Sequence, residues 1–256
     1  MTVLHVAAAQ LSSGPDPIAN LATATDAVQQ AAAEGTELVV LPEATSACFG
    51  TDLRSVAEPL DGPFAAGLRK VAADLGVVVV AGLFEPSVDG RVHNTLLVTG
   101  PGVETSYRKI HLYDAFGSRE SDTVAPGNEL VTFGWRDVRI GLATCYDLRF
   151  ADQFTALGRL GAELIAVPAS WGAGPGKEEQ WDLLTRARAA DAQAWLLACD
   201  QAYVPPVGTD PLGIGRSSVT TPLGQTSARL DAAAGTLHAT IDTAVVAPIR
   251  ARVPIF

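Results

Sequence analysis

The sequence predicts an α/β layered domain, and three observations predict it. Short apolar runs rich in Val, Ile, Leu and Ala alternate with longer stretches patterned as helices. The apolar runs are continuous rather than alternating, which implies strands covered on both faces. Proline and glycine punctuate the helix ends.

In chain order, the first strand is Leu4–Ala9. Pro17, behind Asp16, opens a helix over Pro17–Ala33 that Gly35 stops, and a strand follows at Leu38–Leu41. A helix over Ala65–Leu75 ends at Gly76 and leads into strands Val77–Gly82 and Thr95–Thr99. Strand Arg139–Thr144 precedes a helix over Asp152–Leu160, stopped by Gly161, and then strand Leu164–Pro168. The last helix, Glu178–Ala194, is followed by strands Trp195–Cys199 and Thr236–Ile241.

A weak internal repeat bears on the layers. Gly35-Thr36-Glu37-Leu38-Val39-Val40-Leu41-Pro42-Glu43 parallels Gly161-Ala162-Glu163-Leu164-Ile165-Ala166-Val167-Pro168-Ala169. Each reads as helix stop, strand and proline turn. The echo suggests two similarly wound halves, with two sheets face to face and helices outside, although any two helix–strand units of such a fold share this much. The difference is more telling: the first ends in Glu43, the second in Ala169.

A length of 256 residues is within the range of a single large α/β domain spanning 1–256. With 48% hydrophobic and 18% charged residues, the composition supports a large buried core. The net charge of −10 is spread along the chain and argues against binding to nucleic acid or anionic membrane. Met1-Thr2-Val3-Leu4-His5 has no basic stretch before an apolar run, and the run from Val77 to Phe84 is too short to span a bilayer. Cys48, Cys145 and Cys199 are widely spaced, which suits a reduced cytoplasmic protein. With no Cys-x-x-Cys pair and with His5, His93, His111 and His238 scattered, no zinc site is expected.

Three segments carry chemistry. Cys145 ends a strand in Gly141-Leu142-Ala143-Thr144-Cys145-Tyr146-Asp147-Leu148-Arg149-Phe150, where a polar turn follows a buried run. Leu41-Pro42-Glu43 places a carboxylate just past another strand, and Tyr107-Arg108-Lys109-Ile110-His111-Leu112 offers an ammonium. Ligands of open α/β sheets gather beyond the carboxyl ends of strands, so Glu43 and Cys145 could face one crevice. In an extended segment Tyr107, Lys109 and His111 would share a face, either a site wall or a wet surface. Taken singly, Cys145 could be a small core residue, and Glu43 and Lys109 solvated charges. Together, a thiol, a carboxylate and an amine are the parts of an acyl-transfer enzyme.

These motifs resemble those of the nitrilase superfamily of carbon–nitrogen hydrolases, amidase-like branch. Leu41-Pro42-Glu43 is similar to its glutamate motif, Tyr107–Leu112 to its lysine motif and Cys145–Phe150 to its cysteine motif. Arg119-Glu120-Ser121, Pro168-Ala169-Ser170-Trp171 and Trp181–Ala189 also look like family segments. The resemblance implies an αββα sandwich, a catalytic set of Glu43, Lys109 and Cys145 with Glu120 in support, no metal or organic cofactor, and a homodimer or higher homo-oligomer. It implies a small-molecule amide substrate, linear and with carboxylated amides among the candidates, cleaved through a cysteine thioester with release of ammonia.

In that scheme Glu43 takes the thiol proton and Lys109 donates to the oxyanion, with the Tyr146 backbone N–H as second donor. A thiol of pKa about 8.5 is a few per cent ionised at neutral pH, so supplying thiolate costs roughly 2 kcal/mol. Arg149, four residues past Cys145, is either a grip for a substrate carboxylate or a brace paired to Asp147 or Asp152. Trp171 is either a pocket wall or a packing plug. Arg186, Arg188 and Asp191 read as surface or subunit-contact charges.

Two departures from the family pattern fall near the expected pocket rim. Ala151-Asp152-Gln153 replaces the usual Pro-Glu after Phe150, and Gly213-Ile214-Gly215-Arg216-Ser217-Ser218 stands where relatives show Gly-His-Ser. The chain also stops at Pro254-Ile255-Phe256, short of an Arg-rich tail that relatives exchange between subunits. The rivals to the amidase reading are a nitrilase or N-carbamoyl amide hydrolase using the same residues, a Cys145–His111 thiol hydrolase, and a catalytically silent binding protein.

Overall fold

Continuous apolar strands need cover on both faces, and the chain supplies it by stacking two six-stranded sheets between two helical layers. The computed structural model describes residues 2–205 and 213–256. Strands β1 (Val3–Gln10), β2 (Leu38–Val40), β3 (Val78–Pro86), β4 (Val92–Gly100) and β5 (Val103–Arg108) form most of the first sheet. Strands β6 (Thr132–Trp135), β7 (Val138–Leu142), β8 (Leu164–Ala169), β9 (Trp195–Asp200), β10 (Ser218–Thr220) and β11 (Thr226–Arg229) form the second. Strand β12 (Gly235–Asp242) returns to the first sheet, whose order is β12-β1-β2-β3-β4-β5; the second runs β11-β10-β9-β8-β7-β6.

The helices are α1 (Pro17–Ala33), α2 (Leu53–Val56), α3 (Pro63–Leu75), α4 (Ala151–Arg159), α5 (Lys177–Ala192) and α6 (Val246–Arg252). Asp16 caps α1 by accepting from the Ile18 N–H, and Gly76 ends α3 in the left-handed conformation. Alternate residues of each central strand serve different layers. Leu38 and Val40 of β2 and Leu164 and Ala166 of β8 fill the space between the sheets. Val39 lies under α1 and α3 with Ala24, Val28 and Leu68. Ile165 and Val167 lie under α4 and α5 with Phe154, Leu157 and Trp181. The result is an αββα sandwich.

The expected central strands and the four long helices are all present, with ends shifted by a few residues. Strands β5, β6, β10 and β11 and helices α2 and α6 are additions, short or lying toward the sheet edges. Among the described residues, no helix is long and apolar enough to cross a membrane.

Candidate active site

Glu43 leaves the end of β2 through Pro42, and one backbone approach makes room for it. A Cβ on Gly82 of β3 would lie 2.5 Å from the Ala44 nitrogen and 2.7 Å from the Glu43 Cα, so only glycine lets the two segments meet. The Gly82 N–H donates to the Pro42 carbonyl, and the Gln201 side chain, from the other sheet, donates to the Glu43 carbonyl at 2.9 Å.

Cys145 follows β7 at the start of a tight turn, Cys145–Arg149, in the left-handed region at φ 46°. That conformation is costly for a non-glycine residue, and surrounding bonds hold it. Thr144 Oγ1 donates to the Pro168 carbonyl at 2.8 Å, and the Thr144 N–H donates to Asp147 Oδ2 at 2.8 Å. Asp147, fully buried, also accepts from the Tyr107 hydroxyl at 2.6 Å and from the His111 N–H at 3.1 Å.

Lys109 lies just beyond β5 and is 2% exposed, while Glu43 is 0% exposed. Its Nζ donates to Glu43 Oε1 at 2.9 Å and to Glu120 Oε2 at 2.9 Å. Burial opposes the ammonium charge, but Glu120 and Glu43 outweigh it and hold Lys109 well above its usual range. For Cys145, burial and then the Glu43 charge push the thiol up, against a smaller downward pull from Lys109.

These groups line one cavity of about 620 Å³, together with Tyr146, Arg149, Trp171 and Lys177. Every residue expected to carry chemistry, Glu43, Lys109, Glu120, Cys145, Tyr146, Arg149 and Trp171, is on its wall. Trp171 is wall and plug at once: it is buried, its ring sits 5.5 Å from that of Trp181, and its Nε1–H donates to the Lys177 carbonyl. Among the described residues, no group of three or more His, Cys, Asp or Glu side chains could hold a metal ion.

Several expectations need correction. Strand β5 ends at Arg108, so the alternation that would align Tyr107, Lys109 and His111 stops there. Tyr107 is in the inter-sheet core with its hydroxyl on Asp147. His111 stacks on Phe150 at 3.5 Å, holds Asp147 through Nδ1 at 2.9 Å and does not line the cavity, which removes the Cys145–His111 pairing. Arg149 is no brace for Asp147 or Asp152; its Nη2 donates to Gln180 at 2.6 Å, and its guanidinium lies over Trp171 and Tyr146. Neither 151–153 nor 213–218 lines the cavity; Gln153 donates to the Tyr107 hydroxyl, and Ser217 is buried behind Asp200. Arg188 is buried rather than superficial, beside Asp191 at 2.7 Å.

Two contributors had no signal in the sequence. Asn94 of β4 donates from Nδ2 to both Glu43 Oε1, at 2.7 Å, and Glu120 Oε1, at 3.1 Å. A lone Asn inside a strand marks nothing until its neighbours are known. Asp200, at the end of β9, accepts from the Trp171 and Ile214 N–H groups at 2.7 and 2.9 Å. Burial raises its acid well above the usual range, against the pull of those N–H donors. It anchors the turn from which the Ser170 N–H donates to Glu43 Oε2 at 2.9 Å.

Comparison with known proteins agrees with this architecture. The carbon–nitrogen hydrolase family profile matches residues 5–251. A hydrolase of Mycobacterium tuberculosis, Rv0480c, is 48% identical over 98% of this chain and 94% of its own. The Homo sapiens omega-amidase NIT2 is 30% identical over 100% of this chain and 95% of its own. The crystal structure of Saccharomyces cerevisiae Nit3, a member of branch 10 of the nitrilase superfamily, superposes with a TM-score of 0.87 at 28% identity, covering 99% of this chain and 95% of that one. The chain belongs to the carbon–nitrogen hydrolase family of the nitrilase superfamily.

Proposed function

We propose that residues 1–256 act as one hydrolase domain that cleaves the C–N bond of a small linear amide through a thioester on Cys145 and releases ammonia. The observation that carries this reading is the single cavity lined by Cys145, Glu43 and Lys109, with the carboxylate and ammonium 2.9 Å apart.

The thiol sulfur attacks the amide carbonyl carbon while its proton passes to Glu43. Glu43 suits this role because Oε1 is occupied by Lys109 and Asn94, whereas among the described residues Oε2 holds only the Ser170 N–H and keeps room for the thiol proton. Negative charge then develops on the carbonyl oxygen. An ammonium has three N–H donors; Lys109 contacts Glu43 Oε1 and both Glu120 oxygens, and one N–H shared between the two Glu120 oxygens leaves another to turn to the oxyanion beside the Tyr146 backbone N–H. Removing one such donor costs about 2.7–4 kcal/mol of transition-state stabilisation.

Collapse of the intermediate breaks the C–N bond, and Glu43 returns its proton to the leaving ammonia. Water, deprotonated by Glu43, next attacks the thioester, and the sulfur leaves and regains a proton. The reading includes a cytoplasmic homodimer that works without a cofactor.

Ammonia assays with matched amide and nitrile pairs test it. The amide is the expected substrate, and Cys145→Ala should reduce turnover to background while the protein stays folded. Preference for the nitrile, or full activity in Cys145→Ala, would reject the proposal.

A further inference from the structure

The cavity has an excess of positive charge in an acidic chain. Among the described residues Lys109, Arg119, Arg149 and Lys177 line it against only Glu43 and Glu120, although the whole chain carries −10. The two carboxylates are both occupied by Lys109. Arg119, on the exposed rim, is near Asp122 at 3.4 Å. Arg149 and Lys177 remain, and among the described residues neither has a carboxylate at ion-pair distance.

Their neutral partners leave binding capacity unused. Arg149 donates only to Gln180, and its buried Nε–H has no acceptor among the described residues. Lys177 donates from Nζ to the Tyr113 hydroxyl at 3.1 Å. Both cations lie over the faces of Trp171 and Phe116, with Lys177 Nζ 4.1 Å from the Phe116 centroid and the Arg149 guanidinium 5.1 Å from that of Trp171. Aromatic faces compensate a desolvated cation in part, whereas a buried donor without an acceptor favours an anionic occupant. Glu178, next to Lys177, turns to Arg216 at 3.1 Å and does not neutralise it. At about 620 Å³ the cavity is of ordinary size for a small-molecule site.

Resting on the amidase reading above, we propose that the substrate is a linear amide with two anionic groups, one received by Arg149 and the other by Lys177. Arg149 supplies a fork suited to a carboxylate, and Lys177 a point charge over the same aromatic rings. Lys177 is thereby a specificity determinant rather than part of the bond-breaking set.

The test compares N-acetylglutamine with N-succinylglutamine, which share a primary carboxamide and an α-carboxylate and differ by one further carboxymethyl group. Binding is measured by calorimetry in Cys145→Ala, so that turnover does not enter. N-succinylglutamine is expected to bind at least about tenfold more tightly. Added Lys177→Met should bring that ratio close to one, and Lys177→Arg should restore it. The preference should also weaken as salt is raised. Equal affinity for the two probes, no binding of either, or a ratio that survives Lys177→Met would overturn the proposal. Ammonia release by the unmodified enzyme is scored separately. Its absence alongside an intact, Lys177-dependent preference would sink the amidase reading and leave the dianion site standing.

Discussion

Lys109 Nζ lies 2.9 Å from Glu43 Oε1, and neither side chain reaches solvent. Two carboxylates share this one ammonium, since Glu120 Oε2 is also 2.9 Å away. A buried charge deprived of its partner is strongly destabilising, whereas removal of a whole pair costs far less. Lys109→Met is therefore expected to lower unfolding free energy by about 3–5 kcal/mol as well as stop turnover. Adding Glu43→Gln should restore part of the stability and none of the activity. Denaturant unfolding of the single and double variants reads this out, and equal stability of Lys109→Met and the unmodified protein would contradict it.

The pH dependence of Cys145 follows from its neighbours. Burial and the Glu43 charge raise the thiol, and Lys109 lowers it. Glu43→Gln removes a raising influence, so the midpoint for iodoacetamide alkylation of Cys145 should move to lower pH. Lys109→Met removes a lowering influence, so the midpoint should move up. Rates across pH 5 to about 10 span the ordinary cysteine range. A midpoint that rises in Glu43→Gln would show that the carboxylate does not face the sulfur.

Asn94 donates to both carboxylates from one amide and does not itself line the cavity. It acts by positioning, and Asn94→Leu should lower kcat by about tenfold to a hundredfold, in line with about 1–3 kcal/mol for a lost bond to charged groups. The Michaelis constant should change little, because the substrate does not meet this residue. A large rise in KM with kcat unchanged would argue for direct contact instead.

Gly82 supplies a steric prediction. A methyl group there meets backbone atoms of Glu43 and Ala44, which cannot swing aside as a side-chain tip can. Gly82→Ala should displace the Glu43 segment and reduce kcat/KM by at least about a hundredfold, since small misplacements of catalytic groups are this costly. Gly134, where an added Cβ would meet nothing, is the control: Gly134→Ala should be close to neutral.

The central architecture was legible because strands such as Val78–Pro86 are buried almost throughout and read as continuous apolar runs. Apart from Gly235–Asp242, the strands toward the sheet edges were not. Thr226–Arg229 is largely exposed and Ser218–Thr220 has three residues, so neither presents a hydrophobic period. Glu43, Lys109 and Cys145 were legible by resemblance, and Glu43 and Cys145 also because each follows a recognisable strand. Asn94 and Asp200 were not, nor was the role of Asp147 within its motif, because their meaning lies in partners distant in sequence. Asp147 meets Tyr107 40 positions away, and Asn94 meets Glu43 51 positions away. The Arg149 brace fails for a related reason: proximity in sequence favoured Asp147, whereas the fold gives Asp147 to Tyr107 and His111 and leaves the guanidinium to the cavity.

Covalent capture on Cys145 is the most direct measurement. Rapid acid quenching of the enzyme during turnover of a primary amide, followed by intact-mass and peptide mapping, should reveal one acyl group on Cys145 and none on Cys48 or Cys199. Glu43→Gln should form little of it. Steady release of ammonia with no adduct at any quench time, undiminished in Cys145→Ser, would contradict thioester chemistry at this site.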